Sequence, residues 1–144
     1  MGDRENIFDV VRTGDTQRLQ ALLKADPALA NARDERGNTP VLIAQYRDKR
    51  DAVAVLLAAA PELDIFDAAA VGRTARVAEW LDRDPALRDA QSSLGFGPLA
   101  LAAFFGQAET VKLLLARGAD PKPAAPLAAM KGHHDILKLL KEHA

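Results

Sequence analysis

Apolar residues recur along this chain at intervals of three and four, in short bursts separated by turn residues. Leu19, Leu22 and Leu23 form one burst, Val53, Leu56 and Leu57 a second, Val77, Trp80 and Leu81 a third, and Val111, Leu114 and Leu115 a fourth. Ile136, Leu137, Leu139 and Leu140 form the last. Spacing of i, i+3 and i+4 places each burst on one stripe of an α-helix. Each is preceded by a short, mostly alanine-rich stretch and a turn, often at glycine (Gly14, Gly72, Gly106, Gly132). The pattern predicts five helix pairs. No pair can cover its own stripe, so the pairs must stack and share a core.

The bursts belong to an internal repeat. Shifted by 58 residues, Ile7-Phe8-Asp9 falls on Ile65-Phe66-Asp67, and Asp26-Pro27-Ala28-Leu29 falls on Asp84-Pro85-Ala86-Leu87. Nineteen of the 52 positions from 7 to 58 are identical in this register, which points to duplication of a two-repeat unit. Taking Ile7, Val41, Ile65, Leu99 and Leu127 as one structural position gives steps of 34, 24, 34 and 28 residues. Small residues at Ala44, Ala68, Ala102 and Ala103 allow close approach of the first helices of neighbouring pairs. Pro40, Pro98 and Pro126 mark helix starts, where a missing N–H is harmless. Thr39 is a candidate N-cap. The second helices should stop near Asp26-Pro27, Pro61 and Asp84-Pro85, because a residue before proline avoids the helical region.

Gly37-Asn38-Thr39-Pro40-Val41-Leu42-Ile43-Ala44 and Gly95-Phe96-Gly97-Pro98-Leu99-Ala100-Leu101-Ala102 resemble the ankyrin-repeat signature. So do the run from Val111 to Asp120 and the pair Gly132-His133. The D-P-A-L style is similar to bacterial ankyrin proteins. The resemblance implies an all-α solenoid of five stacked helix-turn-helix repeats in a slightly curved array, with two short β-hairpin fingers. Residues 1–144 then form a single ankyrin-repeat domain, with repeats at about 5–37, 38–63, 64–95, 96–123 and 124–144. The family's histidine two residues after the signature proline is replaced by Leu42, Ala100 and Ala128, so its hydrogen bonds are missing. Only 31–38 and 89–96 are long enough for fingers. Asp3, Arg4, Glu5 and Asn6 would form a polar N-terminal cap, and Lys131, Lys138 and Lys141 a C-terminal one.

Composition narrows the function. Nineteen basic and 20 acidic residues leave a net charge of −1, without the basic excess that nucleic acid or an anionic membrane demands. The absence of cysteine removes disulfides and thiolate chemistry. Residues 1–11 carry Asp3, Arg4, Glu5 and Asp9 and do not read as a secretory signal. No run approaches the roughly 18 apolar residues of a membrane span. A soluble cytoplasmic protein is expected.

Candidate chemistry is sparse. His133, His134 and His143 lack the i, i+4 spacing of a helical zinc pair, and the turn accounts for His133. Asp9 and Asp67 fall two repeats apart, too far for paired acid–base work. Ser92 and Ser93 have no histidine in their repeat, and Gly95-Phe96-Gly97 lacks the rest of a phosphate loop. No catalytic residue, cofactor or metal is expected.

The resemblance implies that a partner is met by finger tips and by the exposed ends of the first helices. Those places are Glu35, Arg36, Asn38, Tyr46 and Arg47 in the second repeat, and Ser93, Leu94, Phe96, Phe104 and Phe105 in the fourth. Three of the five phenylalanines and the only tyrosine fall there, and aromatics make good interface anchors. The expected function is a non-enzymatic interaction module, an adaptor or regulator that binds one protein partner through a groove as a monomer. Two alternatives compete with it. One is a small-ligand carrier or minor enzyme using a cleft by the fingers, Tyr46, Phe104 and Phe105. The other is a self-associating structural protein whose aromatics make a homodimer contact.

Overall fold

The computed structural model describes residues 6–143. Asp3, Arg4 and Glu5, expected in the N-terminal cap, lie outside the described residues. Ten α-helices run in order: α1 (Ile7–Thr13), α2 (Thr16–Ala25), α3 (Pro40–Tyr46), α4 (Arg50–Ala58), α5 (Ile65–Val71), α6 (Thr74–Arg83), α7 (Pro98–Phe104), α8 (Ala108–Ala116), α9 (Ala125–Met130) and α10 (His134–Glu142). Two 3-10 turns stand at Pro27–Asn31 and Pro85–Asp89. The chain divides into two compact units, Met1–Glu62 and Leu63–Ala144.

In the first unit α1 pairs with α2 and α3 with α4, while α1 packs on α3 and α2 on α4. In the second, α5, α7 and α9 form one row and α6, α8 and α10 another. Each helix is short, and its stability comes from this packing more than from propensity. The stripes read from the sequence line the core: Leu19, Leu56, Val77, Val111 and Leu114 are all 0% exposed. Ala68, Ala69, Ala102 and Ala103 are also 0% exposed, and their small size lets the backbones of α5 and α7 approach. Lys131, Lys138 and Lys141 face water.

Caps set the helix starts. Thr39 Oγ1 accepts from the amide of Leu42 at 3.3 Å, with Pro40 opening α3. Asp64 Oδ1 accepts from the amide of Asp67 at 2.8 Å at the start of α5. Replacing Asp64 with alanine is expected to cost about 1 kcal/mol, read as a lower urea midpoint. The second helices end at Ala25, Ala58 and Arg83, as the prolines require. Both D-P-A-L segments adopt the same form: Asp26 and Asp84 each cap a 3-10 turn, with φ of −148° and −149°.

The two β-hairpin fingers are not strands. No strand occurs among the described residues. At 31–38 the loop is closed by the amide of Asp34 donating to the Asn38 carbonyl at 3.0 Å. At 89–96 the amide of Ser92 donates to the Phe96 carbonyl at 2.9 Å. The 3-10 turns take up Asn31 and Asp89, which leaves too few residues for a ladder. Asp34 Oδ1 also accepts from the amides of Arg36 and Asn38, each at 2.9 Å, and such local bonds compete with strand pairing.

The last repeat step also needs correction. The amides of Lys49, Arg73, Gln107 and His133 donate to the carbonyls of Ala44, Ala68, Ala102 and Ala128 at 2.8–2.9 Å, the six-to-one bond that closes a helix before an αL residue. Counting back three residues from these alanines gives Val41, Ile65, Leu99 and Ala125 rather than Leu127. Leu127 is only half-buried, while Ala128 is 0% exposed. The final step is therefore 26 residues, because α9 has six residues to the seven of α7 and carries its proline at the second position.

Candidate functional site

The first unit offers a loop and a helix end. Glu35 and Arg36 are exposed at the tip of the loop. Asn38, expected beside them, is 6% exposed. Its backbone bonds to Asp34 pull it inward, so it braces the loop instead of facing a partner. Tyr46 ends α3 half-buried, with its hydroxyl oxygen shielded from solvent. Arg47 follows, exposed.

The second unit is more apolar. Ser93 and Leu94 are exposed at the loop tip, and Leu94 keeps 43% of its surface. Phe96 is half-buried and forms one wall of a cleft of about 360 Å³, whose floor includes Leu99, Ala100 and Ala124. Phe104 and Phe105 are not among the walls of that cleft. They sit at the far end of α7, a seven-residue helix about 10 Å long. The structure thus separates the five residues into a tip with Phe96 and a helix end with the aromatic pair. The rings of Phe104 and Phe105 meet edge to face at 4.9 Å and 87°. Both are half-buried, so each packs and still offers surface.

The residues weighed for catalysis hold structural positions. Asp9 pairs with Arg12 at 3.1 Å on the surface, and Asp67 is 1% exposed in the first turn of α5. His133 Nε2 lies 3.1 Å from the Phe104 carbonyl oxygen, and His143 Nδ1 lies 2.9 Å from that of Leu139. Within the second unit's cleft, Arg88 donates to the Arg117 carbonyl at 3.0 Å.

Sequence reasoning missed two features. Trp80 has the spacing of the core stripe, yet it is half-buried and its Nε1 donates to the Leu63 carbonyl at 3.0 Å. Arg76 donates to the same carbonyl at 3.1 Å, and the guanidinium carbons of Arg76 and Arg83 lie 4.9 and 5.5 Å from the indole centroid. This cluster braces the connection at Leu63, where no loop of the longer kind is available. The second is Met130, at 71% exposure; the two-residue error in register hid its equivalence to Phe104.

The stacked helix pairs and their closing turns agree with a comparison of the sequence with known families: a model described as ankyrin repeats (3 copies) matches residues 7–125. The chain belongs to the ankyrin-repeat family. Ankyrin repeats are generally protein–protein interaction modules. Over 75 residues, 52% of its length, this ankyrin-repeat chain is 37% identical to the DNA-binding protein RFXANK of Homo sapiens. The match spans 29% of that relative. No helix among the described residues is long and apolar enough to cross a membrane.

Proposed function

We propose that this chain is a non-enzymatic interaction module of five bacterial-type ankyrin repeats, acting in the cytoplasm as adaptor or regulator for one protein partner. The observation that carries the reading is Leu94, 43% exposed at a loop tip one residue from an exposed serine and two from Phe96. Leu94 and the half-buried Phe96 put two apolar side chains on one loop, and apolar surface gathered within a polar rim marks an interaction site. Glu35, Arg36 and Arg47 in the first unit, and Ser93, Phe96, Phe104 and Phe105 in the second, supply further contacts.

The name of the human relative raises DNA as a ligand. A chain with 19 basic and 20 acidic residues lacks the overall basic excess that favours phosphate backbones, which supports a protein partner. The test is affinity capture from lysate of the source organism, followed by titration of the purified partner. Changing both Leu94 and Phe96 to alanine should weaken that binding about tenfold or more, while the thermal midpoint stays close to that of the wild type. Unchanged affinity in the double variant, or tight binding of labelled duplex DNA by the wild type, would overturn the reading.

A further inference from the structure

The bonds that close the first helices of the second unit also fix which residues lie side by side. Gln107 Nε2 donates to the Ala70 carbonyl at 2.9 Å, and His133 reaches the Phe104 carbonyl in the equivalent way. The C-terminal ends of α5, α7 and α9 are therefore neighbours, with matching positions in rows. Counted back from the left-handed glycines Gly72, Gly106 and Gly132, one row is Ala70, Phe104 and Met130. The next is Val71, Phe105 and Lys131. Apolar exposure grows along the first row: Ala70 is buried, Phe104 half-buried and Met130 71% exposed. Met130 and Leu94 are the two exposed large hydrophobics among the described residues.

The charge placed beside the aromatic pair is that of Lys131. Lys131 is exposed, with its Nζ 4.9 Å above the Phe104 ring. No carboxylate occupies either row. Glu109 and Asp135 belong to the first turns of α8 and α10, and Glu109 pairs with Lys112 at 3.3 Å.

We infer that Phe104, Phe105 and Met130 bind a protein segment in which an apolar side chain is flanked by a carboxylate, the acid meeting Lys131. This rests on the interaction-module reading and names the chemistry of its partner. The unbranched thioether of Met130 adapts to the apolar side chain. The Lys131 cation favours an acidic flank and opposes a basic one.

A random-peptide display selection on the immobilised full chain tests it. Enriched peptides should carry an apolar residue beside Asp or Glu, and a synthetic copy should bind less well as salt rises. Met130→Glu and Lys131→Glu should each weaken that copy about tenfold or more; both positions face solvent, and thermal melts verify that the variants fold. Peptides rich in Lys or Arg, an empty selection, or binding indifferent to both substitutions would overturn the inference. A protein partner sensitive to Leu94 and Phe96 would still leave the proposed function standing. Light scattering over a concentration series adds one outcome: a wild-type dimer that Met130→Glu dissociates makes a second copy the occupant and also overturns it.

Discussion

Leu114→Ala is expected to destabilise the second unit by about 3–4 kcal/mol, a large share of the 5–15 kcal/mol typical of a domain. Leu114 is 0% exposed on α8, and α8 packs against both α6 and α10. Truncation there removes three buried carbons and leaves a cavity that two neighbouring helices cannot close without breaking their own contacts. Urea denaturation followed by helical ellipticity reads the change. Leu94→Ala in parallel should move stability by no more than about 0.5 kcal/mol, because its side chain already meets water. Similar losses at the two leucines would mean that the stripe of α8 is not the core of this unit.

That contrast reflects what the sequence made legible. The stripe positions follow from a single rule, helical spacing of apolar residues, and Leu19, Leu56, Val77, Val111 and Leu114 obey it. Starts and stops were equally readable, because Thr39, Pro40, Asp26-Pro27 and Asp84-Pro85 act through their own covalent geometry. The misreadings share a different physics. In an alanine-rich helix such as α9, apolar identity no longer marks the inward face, and Pro126 fits either of the first two helical positions, so the sequence alone does not tell Leu127 from Ala125 as the row's member. The loops at 31–38 and 89–96 were read by length. The form of the first depends on Asp34 capturing two amides, and that of both on the 3-10 turns that use up the first residue of each.

The candidate site was legible to a lesser degree. Aromatic type and position single out Phe96, Phe104 and Phe105, but not that Phe96 stands in the loop before α7 and the Phe104–Phe105 pair at the end of that helix. Asn38 shows the limit most clearly: a polar residue at a loop tip reads as exposed, yet the closing hydrogen bonds draw it to 6% exposure. Met130 could have been found from the glycine–histidine turn at Gly132-His133, counting backwards from the turn instead of forwards from the proline.

The same turns yield a prediction of paired sign. Gly72 closes α5 with φ +78°, and a Cβ added there would stand 2.5 Å from Gln107 Oε1. Gly72→Ala should therefore cost about 2–3 kcal/mol, roughly 1 kcal/mol from the left-handed backbone and the rest from displacing Gln107 and its bond to Ala70. In a Gln107→Ala background the glycine substitution should cost only about 1 kcal/mol, since the obstructing amide is gone. At the corresponding turn after α3 the chain places Asp48, a residue with a Cβ, at φ 55°. Its carboxylate is exposed and joined to Arg50 at 3.3 Å in a surface pair of little energetic weight. Asp48→Gly should raise stability by about 0.5–1 kcal/mol, because relief of the left-handed strain outweighs the added freedom of the unfolded chain. Differential scanning calorimetry of the four variants decides the matter. A stabilising Gly72→Ala, or equal costs for it with and without Gln107, would show that these turns are not held by the contacts described.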